Sequence, residues 1–181
     1  MDEATLTTRA SQGDSDAFGE LVVRHAMAAR RVALAVLRNA DEADDAVQSA
    51  TLSAWRAIAR YDPDRSFRAW YLRIIANAAL DQFRRRRVRA AEPLSDWLES
   101  RTVLPDQATE RALLRDRLME GLAQLPERQR VALVLFDAEG YSHSEIAAVL
   151  KVPEGTVRSY VFHARRAMRR ILAPAVEEEI R

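Results

Sequence analysis

The strongest constraint on the fold is a helical repeat of apolar side chains in the first half of the chain. Between Ser15 and Leu37 such side chains recur at steps of three and four residues, the period of an amphipathic helix. The stripe consists of Phe18, Leu21, Val22, His25, Val32 and Val36. Because the alternation typical of strands is scarce, we predict an all-α protein.

Two more helices are predicted after this one. Asp41 is a suitable N-cap for the first of them, with Glu42 and Asp44 in a turn where the helix dipole favours negative charge. Its apolar stripe consists of Val47, Thr51, Ala54, Trp55 and Ile58. Ser66 can cap the next helix, which follows a turn at Tyr61–Arg65. That helix is expected to bury Phe67, Trp70, Tyr71, Ile74, Ile75 and Ala78.

The helical pattern lapses between Ala90 and about Asp106, where two prolines and scattered acids are typical of a linker. Helicity resumes near Thr109, and Pro126 suits the N1 position of a further helix. The sequence therefore predicts two small helical domains, residues 1–89 and 108–181, joined by a flexible linker at 90–107.

Residues 140–168 carry the most specific local signal, that of a helix-turn-helix. Gly140 suits a helix C′ position with positive φ, and Ser142 with Glu145 forms a capping box for a short helix. Ala147 is a small residue where two helices can cross, and Val152 is an apolar residue in the turn. After Pro153 a second helix begins, with four apolar residues on one face. These are Val157, Val161, Ala164 and Met168.

The other side of this second helix carries side chains that suit the major groove of DNA. They are Arg158, Ser159, Phe162, His163 and Arg166. Arginine can donate two hydrogen bonds to guanine, serine is adaptable, and phenylalanine can contact a thymine methyl group. An ordinary amphipathic helix with a basic, solvated side is the alternative interpretation.

A second basic segment precedes the linker. Residues 61–90 carry eight basic and three acidic side chains, and residues 127–172 carry eight and five, although the whole chain has a net charge of only +1. Arg73, Asn77, Asp81 and Arg84 are predicted to share one helical face, opposite Trp70, Ile74 and Ala78, just before the basic run that includes Arg85. Such a face can contact bases and phosphates, and neighbouring aromatic rings such as Tyr61 can stack on unpaired bases. Phe67 and Trp70 are expected to belong to the core.

Several of these segments together resemble the extracytoplasmic-function sigma factors of bacterial RNA polymerase. Residues 44–48 (DDAVQ) and 67–77 (FRAWYLRIIAN) resemble their second conserved region. Residues 125–130 (LPERQR), 140–142 (GYS), 145–147 (EIA) and 155–159 (GTVRS) resemble their fourth. The resemblance covers roughly residues 12–89 and 108–172, in the family's order.

The resemblance implies a site for each partner. Asp45 and Gln48 correspond to residues that bind the β′ clamp helices of core RNA polymerase, and the β flap is a second expected polymerase contact. The expected −10 element contacts are Tyr61, Arg65, Arg73, Asn77, Asp81, Arg84 and Arg85. The expected −35 contacts are Arg158, Ser159, Phe162, His163 and Arg166. An anti-sigma factor is a further expected partner.

Four positions depart from the family pattern. Thr51 stands where a bulky aromatic residue is common, which predicts a looser core beneath the polymerase-binding helix. Lys151 replaces a frequent glycine at the bend of the helix-turn-helix. Tyr160 and His163 replace frequent arginines, which predicts a weaker hold on phosphate.

Other classes of function find less support in the sequence. The chain has no cysteine, which excludes disulfides, thiolate metal sites and cysteine nucleophiles. Its three histidines lack ligand spacing, and no phosphate-binding glycine loop is present, so we expect neither an enzyme nor a bound cofactor. The polar N-terminus and the lack of an apolar run near the ~20 residues of a membrane span predict a cytoplasmic protein without membrane insertion. A stand-alone helix-turn-helix regulator remains the alternative.

Overall fold

The computed structural model describes residues 1–62, 66–90 and 110–179, and every regular element within these ranges is helical. The α-helices are α1 (Glu3–Ser11), α2 (Ser15–Leu37), α3 (Ala40–Ala57), α4 (Phe67–Ala90), α5 (Glu110–Gln124), α6 (Glu127–Leu133), α7 (His143–Leu150) and α8 (Glu154–Glu179). A 3₁₀ turn, Ile58–Arg60, follows α3, and a π-helical turn, Val134–Ala138, continues α6. The all-α prediction is confirmed. Arg65 and residues 91–107 of the predicted linker lie outside the described ranges.

Helices α1 to α4 form the first bundle, in which α2, α3 and α4 pack against one another and α1 packs on α2. The apolar pattern of the sequence did not predict α1, a short helix capped by Asp2, whose Oδ1 accepts a hydrogen bond from the Thr5 amide at 2.7 Å. Leu6 and Ala10 of this helix are fully buried. Their burial against the bundle, rather than the propensity of so short a segment, accounts for its helicity.

The predicted start of α3 is wrong, whereas its predicted buried face is confirmed in part, because Ala54 and the following Ile58 are buried as expected. Asn39 is the N-cap, because its Oδ1 accepts from the Glu42 amide at 2.9 Å, and Asp41 lies inside the first turn. The buried face consists of Ala43, Ala46, Ala50 and Ala54. Val47, Thr51 and Trp55 flank it and are half-buried. Alanine brings the helix backbone close to its neighbours, so the bulkier side chains lie at the edges of the contact.

Thr51 does not leave a loose core beneath α3. Its hydroxyl donates to the Val47 carbonyl at 2.7 Å, and its oxygen lies 2.7 Å from the hydroxyl of the fully buried Tyr71. Since the threonine proton is engaged, Tyr71 donates to Thr51. Burial raises the pKa of Tyr71 despite this hydrogen bond, so the phenol remains a neutral donor. The pair places a buried hydrogen bond between α3 and α4.

The second bundle consists of α5 to α8, in which α6, α7 and α5 all pack against α8. Pro126 is the N-cap of α6 rather than its first residue, a shift of one position from the prediction. In the π-helical turn, the Glu139 amide donates to the Val134 carbonyl at 3.1 Å, five residues back. This wider turn ends α6 just before Gly140, whose φ of 72° confirms the predicted helix terminus.

The two bundles share one of the two apolar clusters in the described structure. Helix α6 packs on α2, and α7 contacts α4. Val131, Ala132 and Leu135 are buried in the same apolar cluster as the residues of α2 and α4. The second bundle is therefore docked on the first in this structure.

Candidate nucleic-acid interfaces

The helix-turn-helix predicted from the sequence is present. Ser142 Oγ accepts from the Glu145 amide at 3.3 Å, while Glu145 Oε2 accepts from the Ser142 amide at 2.8 Å, so both halves of the capping box form. Lys151 ends α7 in the left-handed region, with φ of 54°. A side chain there costs more than glycine would, as the departure at this position predicts. Val157, Val161, Ala164 and Met168 are all buried, which fixes the rotation of α8.

The outward face of α8 carries all five residues predicted to contact the −35 element. Arg158, Ser159, Phe162, His163 and Arg166 are each exposed. Phe162 is the most informative of them, because 62% of its surface is accessible on a helix that has an apolar core face available. An exposed phenylalanine among arginines suits contact with a base edge or a thymine methyl group. Arg158 pairs with Glu154 at 2.6 Å, an exposed ion pair of i,i+4 type that a phosphate or guanine can displace.

A shallow groove beside this face contains residues that were not predicted from the sequence. Phe136 stacks on His143 with ring centroids 4.4 Å apart, and the Arg165 guanidinium lies 5.0 Å above the Phe136 ring. Arg165 Nε also donates to Asp137 at 2.9 Å, and this hydrogen bond raises the pKa of Arg165. Together with Arg169, these side chains extend the basic surface toward the π-helical turn. Only the folded chain brings Phe136 near α8, so α8 periodicity alone could not reveal it.

The second basic face lies on α4. Arg73, Asp81, Arg84 and Arg85 are exposed and Asn77 is half-buried. Arg84 Nη1 donates to Asp81 at 3.0 Å. Arg73 and Arg85 form no ion pair among the described residues, so both guanidiniums are available for phosphate.

Trp70, Ile74 and Ala78 were predicted to lie opposite this face, and this prediction is wrong. All three are half-buried, and the helix buries Phe67, Tyr71, Leu72, Ile75, Ala76, Ala79 and Leu80 instead. At about 100° per residue, Trp70 and Ile74 fall beside Arg73 and Asn77. The expectation that Phe67 is core is confirmed, whereas Trp70 lies at the edge of the candidate interface.

Tyr61 is held within an aromatic cluster next to the α4 face. Only 8% of its surface is accessible, and its ring lies 5.2 Å from Trp70 and 6.0 Å from Phe67, measured between centroids. Burial is the main reason that the pKa of Tyr61 is raised. Stacking of Tyr61 on a base would require this cluster to open, whereas the half-buried Trp70 is already partly accessible.

The residues expected to bind polymerase lie on the outer face of α3. Asp45 and Gln48 are exposed, one turn apart. Leu52, one turn further along, is also on this face and 55% exposed. Leu52 was not predicted from the sequence, although its position four residues after Gln48 was a usable signal. An exposed leucine beside a carboxylate and an amide is typical of a protein-binding surface.

Other kinds of site find no support in the described ranges. No group of three or more His, Asp or Glu side chains there could hold a metal ion. No helix of the described chain is long and apolar enough to cross a membrane.

Comparison with known proteins places both bundles in one family. The family model "Sigma-70 region 2" matches residues 21–89, and "Sigma-70, region 4" matches residues 115–168. The RNA polymerase sigma-H factor of Pseudomonas aeruginosa is 34% identical, over 96% of this chain and 95% of its own. The chain belongs to the extracytoplasmic-function sigma factors.

Two further comparisons agree with that assignment. The extracytoplasmic-function sigma factor SigM of Mycobacterium tuberculosis is 37% identical, over 94% of this chain and 84% of its own. The solved sigma factor RpoE of Bartonella quintana, in complex with the anti-sigma factor NepR, covers 86% of this chain and 96% of its own. It superimposes with a TM-score of 0.74 at 26% identity. As a sigma factor, this protein directs RNA polymerase to promoters, and a stand-alone regulator is not favoured.

Proposed function

We propose that this sigma factor uses three separate surfaces, one for polymerase and one for each promoter element. The positions of the polar faces of the protein support this proposal. The outer face of α3, the Arg73–Arg84 face of α4 and the outer face of α8 lie on three different helices, each fixed by its own buried side. Residues 1–89 would form the polymerase and −10 domain, 90–107 the linker, and 108–181 the −35 domain.

Polymerase binding is assigned to Asp45 and Gln48, with Leu52 added from the structure. A single exposed leucine contributes a modest apolar contact, and hydrogen bonds from the neighbouring carboxylate and amide fix the orientation of the partner. This surface would bind the β′ clamp helices, while the second domain would contact the β flap.

The −35 element is assigned to α8. The helix would enter the major groove with Arg158 and Phe162 near base edges, while Arg166 and the Arg165–Arg169 surface contact phosphates. A bidentate arginine–guanine contact contributes about 1–3 kcal/mol of discrimination. Ser159 and His163 complete the recognition surface.

The −10 element is assigned to α4 and the segment before it. Flipping a base out of the duplex costs a few kcal/mol, and stacking on an aromatic ring returns about 1–3 kcal/mol. Trp70 is a partly accessible ring beside Asn77, and Arg73 and Arg85, which form no ion pair among the described residues, are cations that can contact the separated strand. Tyr61 and Arg65 are kept as proposed contacts, and for Tyr61 the aromatic cluster must first loosen.

The mechanism is one of binding and DNA deformation, without covalent catalysis or a cofactor. We expect the protein to act in the cytoplasm, where its polymerase and promoters are found. An anti-sigma factor, such as the one named for the Bartonella quintana relative, is a proposed partner here.

Run-off transcription tests the proposal. Core polymerase is incubated with a pool of promoter fragments, with and without this protein. We expect template-specific initiation that requires the protein, with two sequence elements enriched in the active fragments. Absence of initiation, together with tight binding of the protein alone to duplex DNA, would support a stand-alone regulator instead.

A further inference from the structure

The contact between the two domains is built around one buried carboxylate. The side chain of Glu139 has no accessible surface, yet both of its charged partners belong to the first domain. Arg31 Nε on α2 donates to Glu139 Oε1 at 2.8 Å. Arg68 on α4 donates to the other carboxylate oxygen and to the Glu139 backbone carbonyl. One acid of the second domain thus joins two helices of the first.

Two more hydrogen bonds cross the same contact. The guanidinium of Arg130 donates to the Ala35 carbonyl in the last turn of α2. It also donates to the Leu125 carbonyl of its own domain at 3.0 Å. Arg130 has no ion-pair partner among the described residues, and desolvation lowers its pKa to about 10. The Tyr141 hydroxyl donates to the Ala69 carbonyl of α4 at 2.7 Å. Burial raises the pKa of Tyr141, so the hydroxyl keeps the proton it donates.

These contacts give the two candidate DNA faces different surroundings. A cleft of about 430 Å³ separates the start of α4 from α7, and it is lined by Trp70 and Arg73 on one side and by Tyr141 and Glu145 on the other. A DNA strand entering there would meet the Glu145 carboxylate opposite Arg73. The outer face of α8, by contrast, is exposed throughout.

We infer that Glu139 is a latch that holds the sigma factor in a closed form, in which the Trp70–Arg73 end of the −10 face borders a cleft against the second domain and the −35 face is free. Opening requires Arg31 and Arg68 to exchange this buried carboxylate for water or for another anion. Breaking a buried pair on one side leaves a charge without compensation, so the closed form depends strongly on Glu139. The assignment of the two DNA faces rests on the proposed function, whereas the latch itself does not.

The latch can be tested by distance measurement, because the chain has no native cysteine. Ser53→Cys on α3 and Gln124→Cys on α5 place spin labels at exposed positions, one in each domain. We expect Glu139→Gln to shift the label distances to a longer, broader distribution. The matched control is Asp137→Asn, which removes an equal charge two residues away from a pair with Arg165 inside the second domain. An unchanged distribution in folded Glu139→Gln, or an equal shift in the control, would overturn the latch.

A second variant protects the test against loss of folding. Arg68→Gln breaks the same contact from the first domain, and circular dichroism checks the helicity of each protein. If Glu139→Gln loses helicity, the label distances are measured in Arg68→Gln instead. An unchanged distance distribution in folded Arg68→Gln would then overturn the inference.

Binding of a fluorescent single strand carrying the enriched −10 sequence separates the latch from the proposed function. If the open population rises, the apparent affinity of Glu139→Gln should increase by about tenfold over the Asp137→Asn control. Longer distances without strand binding would support the latch and refute the −10 assignment. Tighter strand binding without a change in distance would refute the latch.

Discussion

The hydrogen bond between Thr51 and Tyr71 leads to a prediction about asymmetric substitution. Thr51→Val removes the acceptor and leaves the buried Tyr71 hydroxyl without a partner, whereas Tyr71→Phe leaves the Thr51 hydroxyl bonded to Val47. An unsatisfied buried donor costs about 1–3 kcal/mol, and loss of a satisfied hydrogen bond costs about 0.5–1.5 kcal/mol. We therefore expect Thr51→Val to be the more destabilising variant.

Urea unfolding provides the measurement. With a urea dependence of about 1–3 kcal/mol per molar, a loss of about 2 kcal/mol moves the midpoint by about 1 M. Fluorescence of Trp55, which packs 5.1 Å from Phe18 between ring centroids, reports on the first domain. Near-ultraviolet circular dichroism checks that the same transition is followed.

The double variant Thr51→Val/Tyr71→Phe is the decisive control, since it removes both hydroxyls and leaves no buried hydroxyl without a hydrogen-bond partner. It should be more stable than the sum of the two single effects predicts, by about 1 kcal/mol. Additive effects, or a Tyr71→Phe variant less stable than Thr51→Val, would refute the hydrogen-bond assignment.

Four other substitutions test the remaining surfaces. Asn77→Ala should impair strand opening while leaving duplex −35 binding largely intact, as permanganate footprinting and gel shift can show; equal loss of both would contradict its −10 role. Arg158→Ala should cost about 1–3 kcal/mol at one base position, and a loss uniform across promoter variants would indicate a phosphate contact instead. Gln48→Ala should weaken association with core polymerase relative to the exposed Ser53→Ala on the same helix, and equal affinities would remove Gln48 from the interface. Gly140→Ala should cost about 1 kcal/mol in urea unfolding, since φ is 72° and no atom lies within 4 Å of the new Cβ; unchanged stability would exclude backbone strain at this turn.

The sequence predicted best where a local rule determines the structure. The capping box at Ser142, the positive φ at Gly140 and the burial of Val157 all follow from chemistry within a few residues. These same features fix which residues of α8 face outward. The candidate −35 surface could therefore be selected from the sequence alone.

Prediction was weaker where packing chooses among similar faces. The predicted buried face of α3 included Ala54, which is buried, but missed Ala43, Ala46 and Ala50. Hydropathy does not favour these alanines over Val47 and Trp55, which are only half-buried. Trp70 was assigned to the core for the same reason. Helix α1 was missed because its nine residues are stabilised by contacts with α2.

The role of Glu139 could not be inferred from its neighbours in sequence. Its partners lie 108 and 71 residues away, so no local pattern pairs them. The sequence predicted two domains on a linker but gave no means of predicting how they meet. That information depends on the tertiary structure.

The π-helical turn at Val134–Ala138 sets the direction in which Glu139 points. A π turn takes up one residue more than the α-helix it interrupts, because the turn is wider. Wound as a regular α-helix, the same residues would rotate Glu139 by roughly 100°, away from Arg31 and Arg68. Deleting one residue between Val134 and Ala138 would instead let α6 continue as an α-helix with Glu139 still facing both arginines. Sigma factors that differ by a single residue at this point can therefore keep the same contact between their domains, because the helix absorbs the difference in length.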